Sequence, residues 1–106
     1  MMQVKNMVSA RSGRTVANQF DMVRHDEDGR AVEYAFQSYD SLCATLARTE
    51  EGLYKLTVYR DGFYSRTTAK YLRVWLIDHI NPERVPDVLK AAKEAINAGA
   101  EKWEAE

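Results

Sequence analysis

The residues best able to do chemistry are basic and aromatic side chains in two stretches. Arg60, Tyr64, Arg66, Lys70 and Tyr71 follow one another closely, and Arg11 and Arg14 flank Ser12 and Gly13 far upstream. Guanidinium groups grip phosphate or carboxylate in a bidentate fork. Tyrosine rings stack on bases or fill protein pockets, and Tyr and Arg are enriched at interface hot spots. These seven residues are therefore the candidate partner-binding set, and two partner classes fit them, a protein or a nucleic acid. The bland reading makes the same side chains solvated stems lying over the edge of the core. The Ser9–Arg14 run could also cradle a phosphate between backbone N–H groups and the two arginines. It has neither a P-loop lysine nor a GxGxxG pattern, so a solvated turn is the plainer reading.

Catalysis finds less support. Only His25 and His79 exist, so a Ser-His-Asp arrangement would need the fold to place one of them. His79 follows Asp78 at an expected helix end, where a cation offsets the dipole. His25 precedes Asp26, Glu27 and Asp28 in HDEDGR, which lacks the ordered oxygen ligands of a calcium loop and reads as an acidic turn. Glu50 and Glu51 fall in an expected loop. Cys43, the single cysteine, allows no internal disulfide and reads as a small buried hydrophobe. The expectation is a non-enzymatic chain with no cofactor and no metal.

The elements that must position these residues follow from periodicity. Residues 1–15 read as a short strand and a loop. Residues 16–24 alternate, with Val16, Asn18, Phe20 and Met22 forming a mainly apolar face. The Asp-Gly step in HDEDGR turns the chain into a second alternating run over 31–37, making a hairpin. Leu42, Cys43, Leu46 and Ala47 then suggest a helix over 39–48, with Ser38 or Asp40 as its cap. Residues 53–59 alternate again. Ser65 caps a helix over 65–80, whose stripe is Thr68, Leu72, Trp75, Leu76 and Ile80. Its first turn carries Arg66 and Lys70 where acidic residues suit the dipole better. A last amphipathic helix runs over 83–103, with Gly99 weakening its final turns. This order predicts a single small α+β domain over 1–106: a mostly antiparallel sheet of three to four strands with helices on one face.

Bulk composition narrows the setting. The chain has 106 residues, 45% of them hydrophobic, and a net charge of -1 from 15 basic and 16 acidic side chains. No global basic field draws it to nucleic acid, so such binding would need a local patch. From Asn81 onward six acidic residues stand against four basic ones. Apolar runs are too short to span a bilayer, and no secretory signal is visible. A cytoplasmic protein with no membrane contact is expected; the oligomeric state is left open.

The pieces VSARSGRTVANQF, FQSYDSL and DGFYSRTTAKYLRVWL carry a resemblance. Together they resemble a family of small proteins found in bacteriophages and mobile elements of gut Firmicutes. The likeness covers residues 7–77 through its ANQF, FQSY and YSRTT blocks; the final helix, 82–104, lies outside it. No activity is assigned to that family, so the resemblance implies no catalytic residue. It implies a setting, a phage or mobile genetic element in a bacterial host. Small charge-balanced phage proteins are often inhibitors of host defence, anti-CRISPR proteins among them. The expected partner is a host protein such as a Cas effector or another defence nuclease, with a nucleic-acid-binding accessory role as the alternative.

Overall fold

The computed structural model describes residues 2–9 and 11–106; Met1, in the expected first strand, and Ala10, in the Ser9–Arg14 run, lie outside them. Among the described residues six strands form one antiparallel sheet in the order of the chain: β1 (Met2–Val8), β2 (Thr15–His25), β3 (Ala31–Ser38), β4 (Ser41–Arg48), β5 (Tyr54–Tyr59) and β6 (Lys102–Ala105). Two helices, α1 (Arg66–His79) and α2 (Val85–Asn97), lie between β5 and β6 in sequence and pack on one face. The α+β class holds, but the expected three to four strands are six.

Two of the added strands replace expected helix. Residues 41–48 form β4, a central strand between β3 and β5. Cys43, Ala44, Thr45 and Leu46 are all buried there, residues of both faces alike, in the middle of the sheet. A strand buried on both sides reads as an apolar run and loses its alternation. The spacing of Leu42, Cys43, Leu46 and Ala47 thus imitated a helix. The turn before β4 was equally disguised. Ser38 pairs with Ser41 across a two-residue turn, Tyr39–Asp40, and Tyr39 has φ 54°. Such a turn normally announces itself with glycine at that position.

The last helix also ends early. Gly99 has φ 105°, its N–H donates to Ile96 O at 3.0 Å, and the Ala100 N–H donates to Ala95 O at 3.1 Å. This crossed pair is a Schellman stop, with glycine where the left-handed conformation is needed. Residues 102–105 then pair with β5 as β6, placing Trp103 beside Val58.

The core lies between the inner sheet face and the helices. Phe36, Ala44, Leu46, Leu56 and Val58 meet Leu72, Trp75 and Leu76 of α1 and Val85, Val88 and Ala92 of α2. Each large side chain there contributes roughly 1.5–3 kcal/mol before entropy. The expected faces of β2 are largely reversed. A break at Asn18, φ 64°, resets the alternation, and Gln19 and Asp21 point inward while Phe20 and Met22 pair with outward residues. No element among the described residues covers the outer face. One row there runs Val4, Met22, Ala35, Thr45, Thr57, Glu104 across all six strands, apolar at the β1 side and polar at the β6 side.

Candidate functional site

The start of α1 is seated by hydroxyl groups. Ser65 is extended, and its Oγ accepts the Thr68 N–H at 3.1 Å, satisfying one orphan donor of the first turn. The Ser65 hydroxyl also donates to Thr68 Oγ1 at 3.0 Å, and Thr68 Oγ1 lies 2.8 Å from Ser38 Oγ at the end of β3. Thr68 and Ser38 are fully buried, so this chain ties the helix to the sheet without water. Gln19 of β2 lies beside Ser38 in register, is also fully buried, and both its amide atoms are unpartnered. Above it, the Tyr39 N–H donates to Asn18 O at 2.7 Å, joining the two left-handed residues Asn18 and Tyr39. Strain and an unpaired buried amide in one place are what rigid functional sites tend to carry. The ANQF, FQSY and YSRTT blocks all meet here.

Gly62 lets the preceding 3-10 turn, Arg60–Phe63, sit this close. A Cβ on Gly62 would fall 3.1 Å from Leu72 Cδ2 and 3.4 Å from Cys43 O. Tyr64 emerges from that turn 55% exposed, and Tyr39 is 49% exposed.

The topology brings most of the candidate residues to this end. The β1–β2 turn carries Arg11 and Arg14, the β5–α1 connection carries Arg60 and Tyr64, and the first turns of α1 carry Arg66 and Lys70; all six are exposed. Arg60 Nη1 pairs with Glu101 Oε1 at 3.2 Å. The guanidinium groups of Arg11, Arg14 and Arg66 have no ion-pair partner among the described residues. Tyr71 does not join them on the surface: it is 6% exposed, a core residue, with Lys70 Nζ 5.4 Å from its ring centroid. In the β1–β2 turn, three of the N–H groups a phosphate cradle would use are engaged with the turn itself. The N–H groups of Arg11 and Arg14 go to Ser9 Oγ and Ser12 Oγ at 3.3 Å, and that of Gly13 goes to Ser9 O at 2.9 Å. Those donors are engaged within the turn, leaving the arginine side chains as its outward chemistry.

The other end of α1 holds a cluster that periodicity did not reveal. Asp21 Oδ1 accepts from Trp75 Nε1 at 3.1 Å and lies 3.2 Å from His79 Nε2, with Lys5 Nζ 3.8 Å from Oδ2. The His79 ring lies between Trp75 and Tyr34, at centroid distances of 4.8 and 4.9 Å. His79 therefore anchors the helix to β2 through a carboxylate, where a simple cap was expected. Nothing in the sequence signalled it, because the expected alternation of β2 put Asp21 on the face away from the core; once inward, an aspartate needs partners. A groove of about 510 Å³ lined by Lys5, Asp21, Val23, Tyr34 and His79 runs to the β1 edge. A second of about 640 Å³ lies beyond Tyr34 and His79, toward Tyr54 and Arg84.

The remaining chemical candidates are accounted for locally. Asp26 Oδ1 accepts the N–H groups of Arg30 and Asp28 at 2.9 Å, and the Arg30 bond leads in holding this carboxyl below its ordinary value. Burial pushes the Cys43 thiol up to about 11, and its Sγ donates to Ser41 O at 3.4 Å. Among the described residues no three His, Cys, Asp or Glu side chains gather as a metal site, and no helix is long and apolar enough to cross a membrane. The chain matches no family model, no curated protein and no solved structure.

Proposed function

We propose that this chain is a small non-enzymatic interaction protein that acts by binding another protein through the end of the sheet bearing Arg11, Arg14, Arg60, Tyr64, Arg66 and Lys70. The observation that carries the reading is that these exposed side chains stand at the end of the sheet where the Ser65–Thr68–Ser38 chain and Gln19 are buried. Unpaired arginines and exposed tyrosines at one end of a sheet suit hot-spot contacts. The resemblance supplies the setting: a phage or mobile-element product in the cytoplasm of a bacterial host. Its expected target is a defence nuclease such as a Cas effector, inhibited in the manner of anti-CRISPR proteins. The net charge of -1 favours a protein over a nucleic acid.

The test is capture from nuclease-treated host lysate, run beside salt-titrated binding to single- and double-stranded DNA and RNA. The expected result is nuclease-independent capture of one protein, weakened by about 2 kcal/mol or more in Tyr64→Ala or Arg66→Ala. Tight binding to naked nucleic acid, falling steeply with salt and with a shallower slope in Arg66→Ala or Lys70→Ala, would establish the nucleic-acid alternative instead.

A further inference from the structure

The two edges of the sheet are unlike. The β6 edge is four residues long, and its outward Lys102 and Glu104 are ion-paired, Glu104 with Lys55 as well. Short, charged edges resist pairing. The β1 edge is seven residues long, hydrogen-bonded to a neighbour on one side only, and its outer-face side chains Met2 and Val4 are 50% and 57% exposed. An edge of this kind is a template for another strand.

We infer that β1 pairs antiparallel with β1 of a second copy, Val4 opposite Val4, joining two sheets into one. The register follows from residue types. With Val4 on the two-fold axis, Gln3 faces Lys5 on the inner side and Met2 faces Asn6 on the outer side. No like charges meet, and all five pairs lie before the irregularity between Asn6 and Val8. Moving the axis to Lys5 sets two ammonium groups opposite each other, which is unfavourable for a cross-strand pair. The second support is the outer face. Along its central row Val4, Met22 and Ala35 run apolar to the β1 edge, flanked by Phe20 on one side and the ion-paired Arg24 and Glu33 on the other. Pairing at Val4 joins the apolar ends of the two copies' rows across the axis, while Thr57 and Glu104 stay at the far ends. Lys5, the inward charge that would otherwise guard this edge, is drawn toward Asp21 of its own chain at 3.8 Å. A contact of this length lies at the small end of specific interfaces, so the dimer should be in rapid, concentration-dependent exchange with monomer.

Sedimentation across low-micromolar to near-millimolar concentration should show the mass rising from 12.2 kDa toward twice that value. Val4→Lys should hold the protein monomeric across the range; as an exposed edge substitution it leaves the core intact. Opposed Cα atoms in an antiparallel pair lie about 4.5–5.5 Å apart, within reach of a disulfide. Val4→Cys should therefore cross-link to itself on mild oxidation much faster than Lys5→Cys, whose similar placement controls for random collision. A mixture of Gln3→Cys and Lys5→Cys chains should cross-link to each other. Cys43 is fully buried and does not compete. A mass fixed at 12.2 kDa throughout, or self-cross-linking of Lys5→Cys as fast as that of Val4→Cys, would overturn the inference. Val4 is outside the proposed partner-binding set, so Val4→Lys should capture the host partner as the unaltered chain does.

Discussion

Helix α1 is fastened to the sheet at both ends, by different chemistry. Its first turn is held by neutral hydroxyls, all but sealed from water, with an unpartnered glutamine beneath them. Its last turn is held by a carboxylate shared between an indole and an imidazole, beside an open groove. Hydroxyl chains are short and directional, and they fix geometry more than they add stability. The carboxylate end couples a charge-assisted bond to the largest buried side chain of the core, Trp75. The difference assigns stability to the His79 end and positional precision to the Ser65 end, where the exposed arginines and tyrosines stand.

Replacing Trp75 should break the stabilising end most severely. Trp75→Ala should cost about 3–5 kcal/mol in chemical denaturation, from cavity and lost packing together. Trp75→Phe keeps most of the packing, removes one donor from Asp21, and should cost about 1.5–3 kcal/mol. A loss below about 1 kcal/mol in the alanine variant would move the stabilising weight away from this end.

The hydroxyl end should give a smaller value. Thr68→Val keeps the shape but leaves Ser38 buried without its partner, at about 1–3 kcal/mol by the same measurement. If it cost as much as Trp75→Ala, the contrast between the two ends would collapse.

Tyr39→Gly sharpens the comparison with the opposite sign. Tyrosine at φ 54° is strained by roughly 1 kcal/mol, and glycine is not. The variant should be as stable as the parent or more stable by up to about 1 kcal/mol, yet bind its partner less well if the strained turn serves to present this exposed ring.

The smallest effect lies far from either end. Lys55, followed by Lys102, holds the Glu104 carboxyl below its ordinary value. A depressed carboxyl stabilises the folded state above the ordinary carboxyl pKa, and that contribution is lost as pH falls through the lowered value. The Tm difference between the parent and Lys55→Met should therefore be small at neutral pH, shrink with added salt, and vanish in acid.

How much of this was legible in the sequence depended on burial. Strands β2, β3 and β5 and helix α1 fall on their expected spans, because each has one face toward the core and a clear period. Strand β4 was hidden because four successive buried residues, Cys43 to Leu46, erase its alternation, and the turn before it because Tyr39 occupies a position glycine usually marks. Strand β6 was hidden because its four residues continue an apolar spacing that Gly99 interrupts. For the candidate surface, residue types named Arg11, Arg14, Arg60, Tyr64, Arg66 and Lys70, which the topology brings to one end of the sheet. They misplaced Tyr71, whose ring serves the core. The Asp21–His79 link was invisible because 58 residues separate its members and the break at Asn18 reverses the expected faces of β2.

The order of the sheet has a kinetic consequence. Strands β1 to β5 each pair with their chain neighbour, so their contacts close short loops and can form in quick succession. The β5–β6 ladder is different, since Thr57 meets Glu104 only after both helices have folded back. That ladder should be a late event in refolding and the first part of the sheet to open. Its amides should exchange with solvent deuterium well ahead of those in β3 and β4.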